Sequence, residues 1–170
     1  MSHKKIDSIY HREILNKTLF LKPKDINKNI NNIIQKTLQD TVEGVCVKEG
    51  YIRPNSSKII TRTEGKMNVA TFDGNIIYNV RYEVEICNPM EDQIIECVVA
   101  DNNKSIVSAY VEDSETSPLN IILARQHHIG NKEFISLKNG DTVRIRIISK
   151  LFEYLDRQIL VIGQFLNKVA

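Results

Sequence analysis

No apolar run in this 170-residue sequence approaches the roughly 20 residues that a membrane-spanning helix needs. Its opening Met-Ser-His-Lys-Lys has no signal-peptide core, so an intracellular protein without membrane association is expected. Catalytic signatures are missing as well. There is no phosphate-binding loop, no nucleophile elbow, no His-Glu-x-x-His and no glycine-rich dinucleotide turn. Glu83 and Glu85 alternate along a strand, as a solvated face does. No cofactor is expected. The three cysteines, Cys46, Cys87 and Cys97, are odd in number, widely spaced and set among Val or Ile. That pattern fits small buried hydrophobes better than a disulfide or a metal site. No internal repeat or low-complexity tail is present.

Net charge is low too, at +2, too weak alone to indicate nucleic-acid binding. Its distribution is more informative: residues 1–85 hold 14 Lys and Arg against 10 Asp and Glu, residues 86–170 hold 9 against 11. The basic half is therefore the N-terminal one. With 42% hydrophobic and 26% charged residues, the chain has an ordinary globular composition and length for one large or two small domains.

Residues 11–21 alternate imperfectly and end at Lys22-Pro23, which predicts a strand. Asp25 can cap a helix, and Ile26, Ile30, Ile33, Ile34 and Leu38 follow at helical spacing as one apolar stripe, with Gly44 as the stop. The period then shifts toward two. Val45, Val47, Tyr51 and Ile52 predict one strand, Lys58 to Thr63 another, Lys66 to Phe72 a third or a loop, and Ile76 to Ile86 a long strand. Pro89 cannot donate to a sheet ladder, so strands end before it and begin after it. Beyond it five short strands are predicted: Gln93 to Ala100, Ser105 to Val111, Leu119 to Ala124, Asp141 to Ser149 and Gln158 to Phe165. An acidic loop is expected at Glu112 to Ser117. Five strands in about 80 residues with little helical pattern are what a five-stranded OB barrel needs. The fold class expected is α+β: a helix on an antiparallel sheet over residues 1–85, then an OB barrel over residues 86–170.

Four collinear segments carry a family resemblance. They are Arg12-Glu13-Ile14-Leu15; the helix ending in Val42-Glu43-Gly44-Val45-Cys46 with Gly50-Tyr51-Ile52; Gly74 to Val99, including Tyr78, Val80, Tyr82 and Pro89; and Asp141 to Ile147 with Ile162-Gly163. Together they resemble the seventh-subunit family of eukaryotic RNA polymerases, which includes the corresponding archaeal stalk protein. The resemblance spans residues 11–166 and implies a truncated RNP-like tip domain followed by an OB barrel. It also implies a non-catalytic stalk subunit whose tip docks on the polymerase core and whose barrel lies near exiting RNA. The partners implied are core subunits, a smaller stalk subunit and nascent RNA.

Departures from the family pattern fall in the barrel: Asp92 stands where the family usually has glycine, and Ile106 and Ser108 where it usually has Gly-x-Phe. They suggest a divergent member, such as one from a large DNA virus with its own polymerase. The location would then be the virion and host cytoplasm, or the nucleus if the protein is cellular.

Arg144 and Arg146 alternate with core aliphatics, so they face outward and are candidates for phosphate contact to transcript. The plainer alternative is a solvated face paired with carboxylates such as Glu153. Lys104, Tyr110, Arg125, His127 and Lys150 belong to the same RNA-binding set, with Tyr110 as a substitute stacking platform. His127-His128 has no partner at metal-motif spacing and reads as a loop or RNA-edge pair. In the N-terminal half, Arg53, Lys58, Arg62 and Lys66 are candidates for docking on the core, against the alternative of solvated turns. A second reading stays open: a free-standing OB-type single-stranded-RNA-binding or translation factor. A small hydrolase on such a barrel lacks a residue constellation.

Overall fold

The computed structural model describes residues 9–111 and 116–169. In chain order its elements begin with β1 (Tyr10–Leu21), α1 (Ile30–Val42), β2 (Cys46–Val47), β3 (Gly50–Ile52), β4 (Lys58–Arg62), β5 (Lys66–Met67) and β6 (Ile76–Cys87). There follow β7 (Ile94–Asn102), β8 (Ile106–Tyr110), β9 (Leu119–Ala124), α2 (Lys132–Ile135), β10 (Thr142–Leu151) and β11 (Ile159–Lys168). The fold is mixed α+β, mostly strand. The chain divides into two compact units, one of Tyr10–Val45 with Ile52–Ile86, the other of Cys46–Tyr51 with Cys87–Ala170. The expected acidic loop at Glu112 to Ser117 falls mostly outside the described residues.

In the first unit β6 is the spine, and β1, β4 and β5 all pair with it. Its side chains alternate as a half-buried strand should: Tyr78, Val80, Tyr82 and Val84 are buried, while Asn79 and Arg81 are exposed. The stripe on α1 is buried at Ile34, Leu38 and Val42, spaced four apart on one face. Gln35 fixes the helix to β4 by donating to the Ser57 carbonyl at 3.0 Å and accepting from the Ile59 N–H at 3.3 Å.

The helix starts later than the sequence pattern predicts. Pro23–Asp25 makes a single 3-10 turn, and Ile26 is extended at φ −90°, ψ 117°. Asn27 Oδ1 accepts the Asn29 N–H at 2.8 Å, an Asx-type bond that competes with helix formation there. The end is as expected: Gly44 adopts φ +73°, a left-handed conformation that costs a Cβ-bearing residue energy.

The single strand expected over Val45 to Ile52 is instead a tight hairpin, with β2 and β3 antiparallel and Cys46 opposite Tyr51. Lys48 and Glu49 turn the chain. This hairpin belongs to the second unit, where the Cys46 N–H donates to the Asp156 carbonyl at 2.7 Å and the Leu155 N–H to the Cys46 carbonyl at 2.8 Å.

The five remaining strands close into a barrel in the order β10-β11-β9-β8-β7. All pairs are antiparallel except β9 with β11, which run parallel. Alternate residues fill the interior, among them Cys97, Val99, Val107, Leu119, Ile121, Leu123, Val143, Ile145, Ile147, Ile159 and Val161. Gly163 sits where two walls approach: a Cβ there would lie 2.8 Å from Ile145 Cδ1 and 3.0 Å from Leu123 Cδ2.

The stretch between β9 and β10, unpatterned in the sequence, carries the aromatic plug. Asn131 caps α2 by accepting the Phe134 N–H at 3.1 Å. Phe134 stacks on His128 with centroids 4.2 Å apart and meets the edge of Phe165 at 5.7 Å.

Candidate functional site

The exterior of the barrel carries the residues proposed for RNA contact, and pairing register fixes where each one lies. Arg144 and Arg146 do face outward between buried Val143, Ile145 and Ile147. Arg144 lies opposite Glu96 of β7, and its Nε and Nη2 both donate to Glu96 Oε1 at 2.9 Å. The carboxylate that answers Arg144 is thus Glu96, across the ladder, and not Glu153, whose N–H is turned to Asp156 Oδ2 in the β10–β11 loop. Arg146 stands opposite Ile94 on one side and Gln164 on the other, exposed, with no ion pair among the described residues.

Tyr110 ends β8, 39% exposed, between Val98 of β7 and Asn120 of β9. The β7 strand separates it from the arginines of β10. Lys150, toward the far end of β10, donates from Nζ to Asn88 Oδ1. Lys104 is exposed in the turn between β7 and β8. Arg125 braces that same turn, donating from Nε to the Asn103 carbonyl at 2.7 Å and from Nη2 to Asn102 Oδ1, with its guanidinium 5.9 Å from the Phe134 ring centroid. The seven residues therefore do not form one surface: Lys104 and Arg125 meet at the β7–β8 turn, with exposed His127 two residues further along the chain, Arg144 and Arg146 share the β10–β7 face, and Tyr110 and Lys150 each stand apart.

The histidine doublet splits in role. His127 is exposed; His128 is buried. The His128 ring donates from Nδ1 to the Ala124 carbonyl at 2.7 Å and accepts the Phe165 N–H at Nε2 at 2.8 Å. Those two bonds fix the neutral Nδ1–H tautomer.

In the first unit, Arg53 is engaged, with Nη1 2.8 Å from Glu85 Oε2 and its guanidinium 4.8 Å above the Tyr10 ring. Arg62 donates from Nε to Asn31 Oδ1 at 2.7 Å and lies 5.6 Å from the Tyr78 ring centroid. Lys58 lies opposite Glu83 on the ladder, and Lys66 opposite Ile77. A groove of about 410 Å³ runs across β1, β6 and the end of β4, lined by Lys17, Arg62 and Arg81 with Asn and Thr residues and no carboxylate. Spacing alone does not single out Lys17 or Arg81, because each reads only as the polar half of an alternating strand.

Burial pushes the thiol of Cys97 up to about 12, and burial with nearby Asp156 pushes that of Cys46 up to about 11, so neither is a ready nucleophile or metal ligand. Among the described residues no three His, Cys, Asp or Glu side chains gather as a metal site would require. No helix among them is long and apolar enough to cross a membrane.

Fold and surface together define a mixed α+β protein with a helix-on-sheet unit and a closed five-stranded barrel whose exterior bears separated cations. No protein-family model matches the chain. Over 171 aligned residues it is 24% identical to a protein of Acanthamoeba polyphaga mimivirus named "Putative DNA-directed RNA polymerase subunit L376"; the alignment covers 94% of this chain and 83% of that one.

Proposed function

We propose that this chain is a non-catalytic subunit of a multisubunit DNA-directed RNA polymerase and occupies the stalk. The observation that carries the reading is the end-to-end similarity to a protein named as a viral polymerase subunit, covering both units at once. The barrel supports it: closure in the order β10-β11-β9-β8-β7, with β9 parallel to β11 and a short helix between β9 and β10, is the strand plan of an OB barrel. In this reading the first unit is a truncated RNP-like tip that docks on core subunits, with a smaller stalk subunit beside it. The OB barrel lies near exiting transcript, which it touches through backbone charge more than through stacking, since only Tyr110 offers an aromatic face on the β8 exterior. For a viral polymerase the sites of action are the virion and the host cytoplasm.

Affinity purification of the tagged full chain from its native source tests the assignment. Recovery of the two largest polymerase subunits in stoichiometric amount is expected. Recovery of ribosomes, or of no polymerase chain, would replace it with the free-standing RNA-binding factor.

A further inference from the structure

Pairing register lays out the exterior of the barrel as a grid. Residues opposite one another on a ladder share a face, so rows can be followed from strand to strand. One row runs Tyr110, Asn120, Leu160 and Leu151 across β8, β9, β11 and β10. The next runs Ser108, Ile122, Ile162 and Ser149 across the same strands. Between Ile147 and Ser149 the pairing slips by one residue, and the extra residue, Ile148, is 48% exposed. The inward positions beside these rows belong to Val107, Ile121, Val161 and Ile147, all buried.

Two adjacent rows thus gather Tyr110, Ile122, Ile148, Leu151, Leu160 and Ile162 on one outer face. Leu151 is 66% exposed and Ile162 42%, with Ile122 and Leu160 half-buried between them. A lone exposed aliphatic is ordinary, but apolar side chains contiguous over four strands make a patch, and such patches mark binding surfaces.

Charge selects the occupant. β8, β9, β10 and β11 contain no Asp or Glu. Of their cations, Arg144 is neutralised by Glu96, Lys150 is bonded to Asn88, and Lys168 lies 3.0 Å from Asp141. Arg146 remains. It stands one row beyond Ile162, opposite Gln164 and Ile94, exposed and with no ion pair among the described residues. An aliphatic face with one unanswered cation at its edge complements an aliphatic surface that ends in a carboxylate. Single-stranded RNA fits it poorly. Bases stack on aromatic rings, of which this face has Tyr110 at a corner, and a phosphate chain calls for several free cations. A second copy related by a two-fold axis would set this face against itself and supply no carboxylate to Arg146.

Backbone pairing takes no part in the contact. Each of the four strands is paired on both sides in the closed barrel, so no ladder edge is open there. The partner must be held by side chains alone, and anchors repeating along one face are what an amphipathic helix presents.

We propose that the outer face of β8, β9, β11 and β10 binds an amphipathic helix of another protein. Its aliphatic side chains cover Ile122, Ile148 and Ile162, and its carboxylate pairs with Arg146. The inference goes beyond the polymerase reading and does not depend on it.

The test uses the full chain, isotope-labelled for amide NMR, and a fluorescein-tagged helical peptide with leucines at i, i+3, i+4 and i+7 and glutamates at one end. Saturable binding by fluorescence anisotropy is expected, with amide shifts concentrated on β8, β9 and β11. Ile162→Thr, exposed and still β-branched, keeps the amide spectrum of the folded barrel and weakens binding by about tenfold. Arg146→Glu weakens it as well, and a peptide with lysines in place of the glutamates restores binding to that variant but not to wild type. The proposal is overturned if wild type does not bind, if a peptide of the same composition in scrambled order binds equally, or if both variants keep full affinity. Two further results overturn it by naming another occupant. One is an oligouridine that shifts the Ile122 and Ile162 amides and displaces the peptide; the other is a dimer in sedimentation that Ile162→Thr dissociates.

Discussion

His128 shows how much a single side chain can carry without touching a ligand. Its ring closes two backbone groups 41 residues apart in sequence, the half-buried Ala124 carbonyl and the buried Phe165 N–H, while stacking on Phe134. Replacing it by Phe keeps an aromatic ring against Phe134 but removes both ring nitrogens, and with them the partners of the Phe165 N–H and the Ala124 carbonyl. Leaving buried backbone groups unpaired costs about 1–3 kcal/mol. His128→Phe should therefore lower the urea midpoint with an unchanged slope, whereas His127→Ala, at an exposed site, should shift stability by no more than about 0.5 kcal/mol. Equal midpoints for the two variants would show that the paired bonds contribute nothing. The doublet in the sequence cannot tell its two members apart, because the acceptor of one and the exposure of the other depend on a strand 37 residues downstream. Arg144 teaches the same lesson. Alternation places it outside the barrel, yet only the β10–β7 register reveals that Glu96 already neutralises it, leaving Arg146 the less compensated of the pair.

At the scale of elements, what is legible follows period. β10 reads Thr142-Val143-Arg144-Ile145-Arg146-Ile147, and its buried and outward positions alternate as that pattern requires. The apolar stripe of α1 is equally plain, but its start is not, since the Asn27–Asn29 bond overrides an apparent cap at Asp25. β2 and β3 read as one strand because a two-residue turn of Lys48 and Glu49 has none of the Gly, Asn or Pro chemistry that marks hairpins. Gly163 is visible only through resemblance, and its physical reason is three-dimensional: two barrel walls leave no room for a Cβ. Gly163→Val would press its branches on Ile145 and Leu123, and overpacking of this kind costs about 1–3 kcal/mol. A lower thermal midpoint is expected, with the β9–β11 amides exchanging faster. A midpoint equal to wild type would mean that the walls yield freely there.

The whole molecule is organised in two units, and the chain does not visit them in strict succession. Pro89 and the change in charge balance make residue 86 the natural place to divide the sequence. The hairpin Cys46–Tyr51 nevertheless clusters with the residues that follow Cys87, and nothing in its local pattern announces this. Its two backbone bonds to the β10–β11 loop, through Cys46, Leu155 and Asp156, join segments more than 100 residues apart. Leu155 holds φ +71° in that loop, a strained conformation for a side chain with a Cβ, so the loop depends on such external bonds to stay in place. A fragment of residues 86–170 should therefore close its barrel with the β10–β11 loop loosened. Two backbone hydrogen bonds lost to solvent correspond to about 1–3 kcal/mol of stability. Hydrogen exchange compares the two forms directly: the Leu155 amide should exchange markedly faster in the fragment than in the full chain, while Ile121 and Ile145, deep in the barrel, should stay protected in both. Equal exchange at Leu155 would mean that the loop is held by the barrel alone and that a cut at residue 86 leaves the second unit intact.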